Sequence, residues 1–134
     1  NQIVAGASMG GLMSIKTSIL FTQFRNIISL SPAFWFGYPK VLNDVKNLSN
    51  ESSTYLYTGK KEGHIFGDHV KNIFPNNWDL DFSNNDDFYY SGVKNIKDSF
   101  DSNNKKVIFS FQENGRHNET SWATAIFEIL GKLI

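Results

Sequence analysis

Four short apolar runs alternate with segments of helical periodicity, and that alternation leaves few folds open to the chain. The runs are Ile3–Ala5, "NIISL" (Asn26–Leu30), "STYLYTG" (Ser53–Gly59) and "KKVIFSF" (Lys105–Phe111). The first suits a strand buried on both faces, and the second is stopped by Ser31-Pro32. From Met9 to about Thr22, Leu12, Ile15 and Ile19 with Met13 and Leu20 make a wide helical stripe. Pro39 can open a short helix through Val41, Leu42 and Val45. Tyr89, Val93, Ile96 and Phe100 form a third helical face, and Trp122, Ile126, Ile129 and Leu133 align along a closing helix. Strands alternating with helices imply an α/β fold with about four parallel strands in a single domain, residues 1–134.

Between Gly63 and Asp87 the periodicity fails. The segment is rich in Asn, Asp and aromatics and reads as an irregular excursion or lid over residues 63–87. Elsewhere neither an internal repeat nor a dividing linker interrupts the pattern. The chain opens directly on its first apolar strand, without an initiator Met or signal peptide, so the C-terminal part of a longer protein is expected.

Composition narrows the partners. The formal net charge is zero, which gives no electrostatic case for nucleic acid or an anionic membrane. No apolar run approaches the roughly 18 residues of a membrane-crossing helix. Cysteine is absent, which removes disulfides and thiolate chemistry.

Ligands on open parallel sheets bind beyond the carboxyl ends of the strands. Three chemically capable residues follow such ends: Ser8 after the first strand, Glu62 after the third and His117 after the fourth. Ser8 lies in "GASMGG", a G-x-S-x-G pattern between strand and helix, where the serine turn closes only if its flanks are nearly free of side chains. Gly6, Gly10 and Gly11 supply that space, and the N–H of Met9 would face a substrate carbonyl oxygen as half of an oxyanion hole. The competing reading is a glycine-rich connection without chemistry.

A serine hydroxyl needs a base, and His117, between the last strand and the last helix, is best placed to provide one. Glu62 is the preferred orienting acid, with Asp68 in reserve and an ordinary surface carboxylate as the alternative. Glu119 fits better in a first helical turn and Asn118 as its N-cap. His64, Asp68 and His69 do not match a recognised ligand spacing and read as solvated loop residues, so neither metal nor cofactor is expected. Phe34, Trp35 and Phe36 divide evenly between pocket lining and core, as does Trp78; Trp35 is the candidate substrate contact, and Trp122 reads as core.

The stretches "GASMGGLMSI…FRNIISLSPAFWF", "YLYTGKKEG" and "GRHNETSW" before an amphipathic helix resemble an esterase family of α/β-hydrolases. That family includes enterochelin-esterase-like, feruloyl-esterase-like and esterase-D-like enzymes. The likeness spans the whole chain and implies the C-terminal portion of an α/β-hydrolase sheet, beginning at the nucleophile strand. It implies serine hydrolysis of carboxylic esters through an acyl-enzyme, with Ser8 as nucleophile, Met9 N–H as oxyanion donor, His117 as general base and Glu62 as acid. It further implies a second oxyanion donor from a loop after an earlier strand, and one such donor is worth about 2.7–4 kcal/mol. Without those strands the first strand would expose an apolar edge that can pair with a second copy as a homodimer. A small-molecule or polysaccharide-linked ester is the expected substrate. An acyltransferase with the same triad, or a non-catalytic assembly module that retains the motif, are the alternatives.

Overall fold

In the computed structural model, which describes residues 2–133, each apolar run is a strand: β1 (Gln2–Ala7), β2 (Phe24–Leu30), β3 (Ser53–Gly59) and β4 (Lys106–Gln112). They form one all-parallel sheet in the order β1-β2-β3-β4. The helices are α1 (Met9–Leu20), α2 (Lys40–Asp44), α3 (Asn85–Ser102) and α4 (Glu119–Leu133). The expected alternation of about four parallel strands with helices is therefore the observed architecture. No helix among the described residues is long and apolar enough to cross a membrane.

Strand periodicity sorts the side chains onto two faces. Val4, Ile27 and Val107 share one row across the sheet and pack into the larger core with Leu12 and Ile15 of α1, Val41 of α2 and Val93, Ile96 and Phe100 of α3. The adjacent row runs Ala5, Ile28, Tyr55, Ile108 and faces the other side. There α4 brings Ala125 and Ile129 onto Ile28, Leu30, Tyr55 and Tyr57. Because α4 covers the two central strands, both outer strands keep apolar surface: Ile3 is 46% exposed and Ile108 44%. β1 is bonded to a strand on one side only among the described residues.

The segment 63–87 is irregular, as expected, but it is packed rather than loose. It holds two short 3-10 turns, Gly63–Phe66 and Val70–Asn72, and its end belongs to α3, which begins at Asn85 behind an Asn84 cap on the Asp87 N–H. Phe66, Val70, Phe74, Trp78 and Phe82 recur every fourth residue and all face the larger core. Gly67, Pro75 and the Asn76-Asn77 pair prevent that ladder from becoming a helix. That anchoring places Trp78 in the core margin against Tyr38.

Phe34, Trp35 and Phe36 occupy one 3-10 turn, so their side chains diverge. Phe34 is fully buried against Tyr38, Phe88 and Tyr89; Trp35 is half-buried; Phe36 is 65% exposed. Phe34 thus joins the β2–β3 connection to α3. Phe34→Ala is expected to cost about 3–5 kcal/mol of unfolding free energy, read from urea denaturation. A loss below about 1 kcal/mol would place this ring outside the core.

Candidate active site

The turn after β1 is distorted at Ser8. Ser8 adopts φ 59°, ψ −121°, a region that costs a non-glycine residue on the order of 1–3 kcal/mol. Backbone bonds hold it there. The Ser8 N–H donates to Leu30 O at 2.9 Å, while Ser8 O accepts from Gly11, Leu12 and Ala33 N–H groups at 3.0, 3.2 and 2.9 Å. A side chain at Gly6 would place its Cβ 2.3 Å from Gly10 O, and one at Gly11 would sit 2.7 Å from Leu30 O. Gly10 is different: a Cβ there meets nothing within 4 Å. The steric demand expected of all three glycines falls on two.

Ser8 occupies the N-cap position of α1, where a serine commonly accepts a bond from the first turn. Its hydroxyl makes no such bond. Instead Ser8 Oγ lies 3.0 Å from His117 Nε2, and His117 Nδ1 lies 2.8 Å from Glu62 Oε1. The first N–H of α1, from Met9, has no intrahelical acceptor and sits at the positive end of the helix.

Glu62 is fully buried, and its carboxylate collects donors from three strand ends. Oε2 accepts from Ser31 Oγ at 2.6 Å, Thr58 Oγ1 at 3.1 Å and the Gly59 N–H at 2.6 Å, while Oε1 faces His117. The loops after β3 and β4 meet at Gly59 and Gly115, where a Cβ on Gly59 would lie 2.2 Å from Gly115 O. The Lys61 N–H donates to the same carbonyl at 2.9 Å. That contact sets the acid against the histidine although 55 residues separate them.

His117 is held on every side. Its ring packs edge-on to Trp122 at 4.9 Å and against Tyr89 at 5.5 Å, leaving its side chain 12% exposed. Its backbone N–H donates to His64 Nε2 at 3.1 Å. Burial, then Arg116 and His117, push the His64 pKa below the ordinary histidine value, which favours the neutral ring that can accept this bond. Burial, then the Glu62 charge, hold the Tyr89 phenol well above its usual pKa; as a neutral donor it bonds Ser31 O at 2.7 Å.

The structure therefore brings Ser8, His117 and Glu62 into one hydrogen-bonded array. Asp68, the reserve acid, instead accepts from the His69 N–H and is exposed. His69 Nδ1 accepts from the Lys71 N–H, capping a short turn. Asn118 caps α4 by accepting from the Ser121 N–H, and Glu119 lies in that helix's first turn. Trp35 stands one ring away from the histidine, 5.3 Å from Tyr89. Two residues of the array escaped the sequence reading. Trp122 does more than pack, since its Nε1–H donates to Ser31 Oγ at 3.0 Å, and Ser31, read only as the end of a strand, relays that bond to Glu62. The available signal was an indole on the apolar face of a helix next to the histidine loop, an amphipathic side chain that seeks an acceptor when buried.

Compared with known proteins, the chain matches no family model and no curated protein. The geometry alone carries the functional reading.

Gly6→Ala should destabilise the turn and separate Ser8 from His117, whereas Gly10→Ala should fold normally and gain up to about 1 kcal/mol in helix propensity. Thermal unfolding of the two variants, side by side, tests the assignment of steric demand to Gly6. Equal behaviour would refute it.

Proposed function

We propose that the chain is a serine carboxylic-ester hydrolase of the α/β-hydrolase esterase family it resembles, acting through an acyl-enzyme. The observation that carries this reading is the unbroken relay from Ser8 Oγ through both nitrogens of His117 to the buried Glu62. A serine at positive φ, withdrawn from capping and bonded to a histidine, is a nucleophile in waiting.

In the first half-reaction His117 Nε2 takes the Ser8 proton as Oγ attacks the ester carbon. The Met9 N–H, with the positive end of α1 behind it, donates to the oxygen on which charge develops. Glu62 fixes the tautomer that leaves Nε2 free to accept, and its charge stabilises the imidazolium. The C–O bond to the alcohol then breaks, and the alcohol leaves with the proton from Nε2. Water repeats the sequence on the acyl-Ser8 ester: His117 deprotonates it, the acid product forms, and Oγ recovers its proton. Small-molecule and polysaccharide-linked esters are the substrate classes this chemistry serves, and Trp35 is the proposed apolar contact for the part beyond Tyr89.

A fluorophosphonate should form an adduct on Ser8, located by mass spectrometry, and the adduct should vanish in His117→Ala. Absence of labelling in folded protein would overturn the nucleophile assignment. Glu62→Gln should keep the fold yet lower kcat by up to about 10^4, because an amide no longer enforces the reactive tautomer. Unchanged turnover of a 4-nitrophenyl ester would remove Glu62 from the mechanism.

A further inference from the structure

A cavity of about 320 Å3 opens beside the histidine rather than above the serine. Its walls come from the loop after β3, the loop before α4 and the first residues of α3. Most of its polar groups are already engaged. Asp86 Oδ1 accepts from the Gly63 N–H at 2.8 Å, and His64 Nε2 accepts from His117. Asn85 spans Val70 N–H and Asp68 O, while Asn84 is committed to Asp87. Two lining cations have no acidic partner. Neither the Lys61 ammonium nor the Arg116 guanidinium takes part in an ion pair among the described residues.

Their positions are not arbitrary. Lys61 immediately precedes Glu62, Arg116 immediately precedes His117, and the Lys61 N–H bond to Gly115 O ties the two loops together. Two cations face one carboxylate, Asp86, and the N-terminus of α3 adds its partial positive charge. A net charge near plus one suits a single negative charge better than a dianion. The planar fork of Arg116 matches a carboxylate.

We propose that this cavity is a subsite for a carboxylate on the substrate, so that the preferred ester carries one carboxylate besides its scissile carbonyl. This specificity rests on the hydrolase reading above; the binding site itself does not. The array at Ser8 accepts any ester carbonyl, and the cavity, joined to that array where His64 accepts the His117 N–H, selects those with an anionic arm.

Binding and turnover separate the two ideas. In the Ser8→Ala chain, monomethyl glutarate should produce saturable NMR shifts at the Gly63, His64 and Arg116 amides, and the neutral dimethyl glutarate should not. The double variant Lys61→Gln/Arg116→Gln should weaken that binding roughly tenfold, the size expected for two exposed charge contacts. Absence of saturable shifts, equal affinity for the neutral diester, or an unchanged Kd in the double variant would each overturn the subsite. In the unaltered chain, kcat/KM should favour mono-4-nitrophenyl glutarate over 4-nitrophenyl valerate. The double variant should lose that preference while keeping its valerate turnover. Hydrolysis of both esters at equal rates would also overturn the subsite. Selective binding without hydrolysis of either ester would support the subsite and sink the hydrolase reading.

Discussion

The buried carboxylate of Glu62 is the interaction on which the site depends. Removing an unpaired carboxylate from water costs several kcal/mol, so a fully buried one persists only if its surroundings satisfy it. Here four donors do so, and they come from the end of β2 (Ser31), the end of β3 (Thr58, Gly59) and the loop after β4 (His117). The strand order β2-β3-β4 is what brings those ends together. The carboxylate in turn makes the sheet edge a single polar unit, since the Ser31 hydroxyl and the Gly59 N–H would lose their acceptor without it. The packing of the sheet and the alignment of the histidine are therefore two aspects of one constraint.

Strain is distributed along the same edge. Ala7 and Leu30 are register partners, and the residue after each, Ser8 and Ser31, lies at positive φ. Neither is a glycine. Each is held by backbone bonds to the neighbouring strand: Ser8 N–H to Leu30 O, and Ser31 N–H to Tyr57 O at 2.7 Å. The parallel ladder thus continues one residue past the regular strands and bends both chains out of the sheet. One bend aims a hydroxyl at the histidine, and the other aims a hydroxyl at the acid.

Short apolar runs bounded by turn residues, with period-3.6 stripes between them, were enough to read the sheet, because those patterns record burial directly. The rule placing sites at strand ends then selected Ser8, Glu62 and His117 from among the polar residues. Other features left no comparable trace. The ladder Phe66, Val70, Phe74, Trp78, Phe82 turns to the core at every fourth residue without an α-helical backbone, a pattern of burial hidden in a segment that reads as irregular. Gly10 stands in the motif yet occupies open space, because a pattern of glycines does not say which of them the turn compresses. Ser31 looks like any serine before a proline, and its role exists only once β3 lies beside β2.

Trp122 shows why such roles cannot be assigned one residue at a time. By hydrophobicity it belongs to the apolar face of α4, and it does border the smaller core with Ala125 and Ile129. Its indole edge also reaches across to Ser31 and flanks His117. The same side chain thus couples the seating of α4 on the sheet to the orientation of His117 and, through Ser31, to Glu62. A helix docked a turn out of place would leave the Ser31 hydroxyl without its indole donor and the histidine without one wall. Packing on the α4 face and the orientation of His117 toward Ser8 are linked through this one ring.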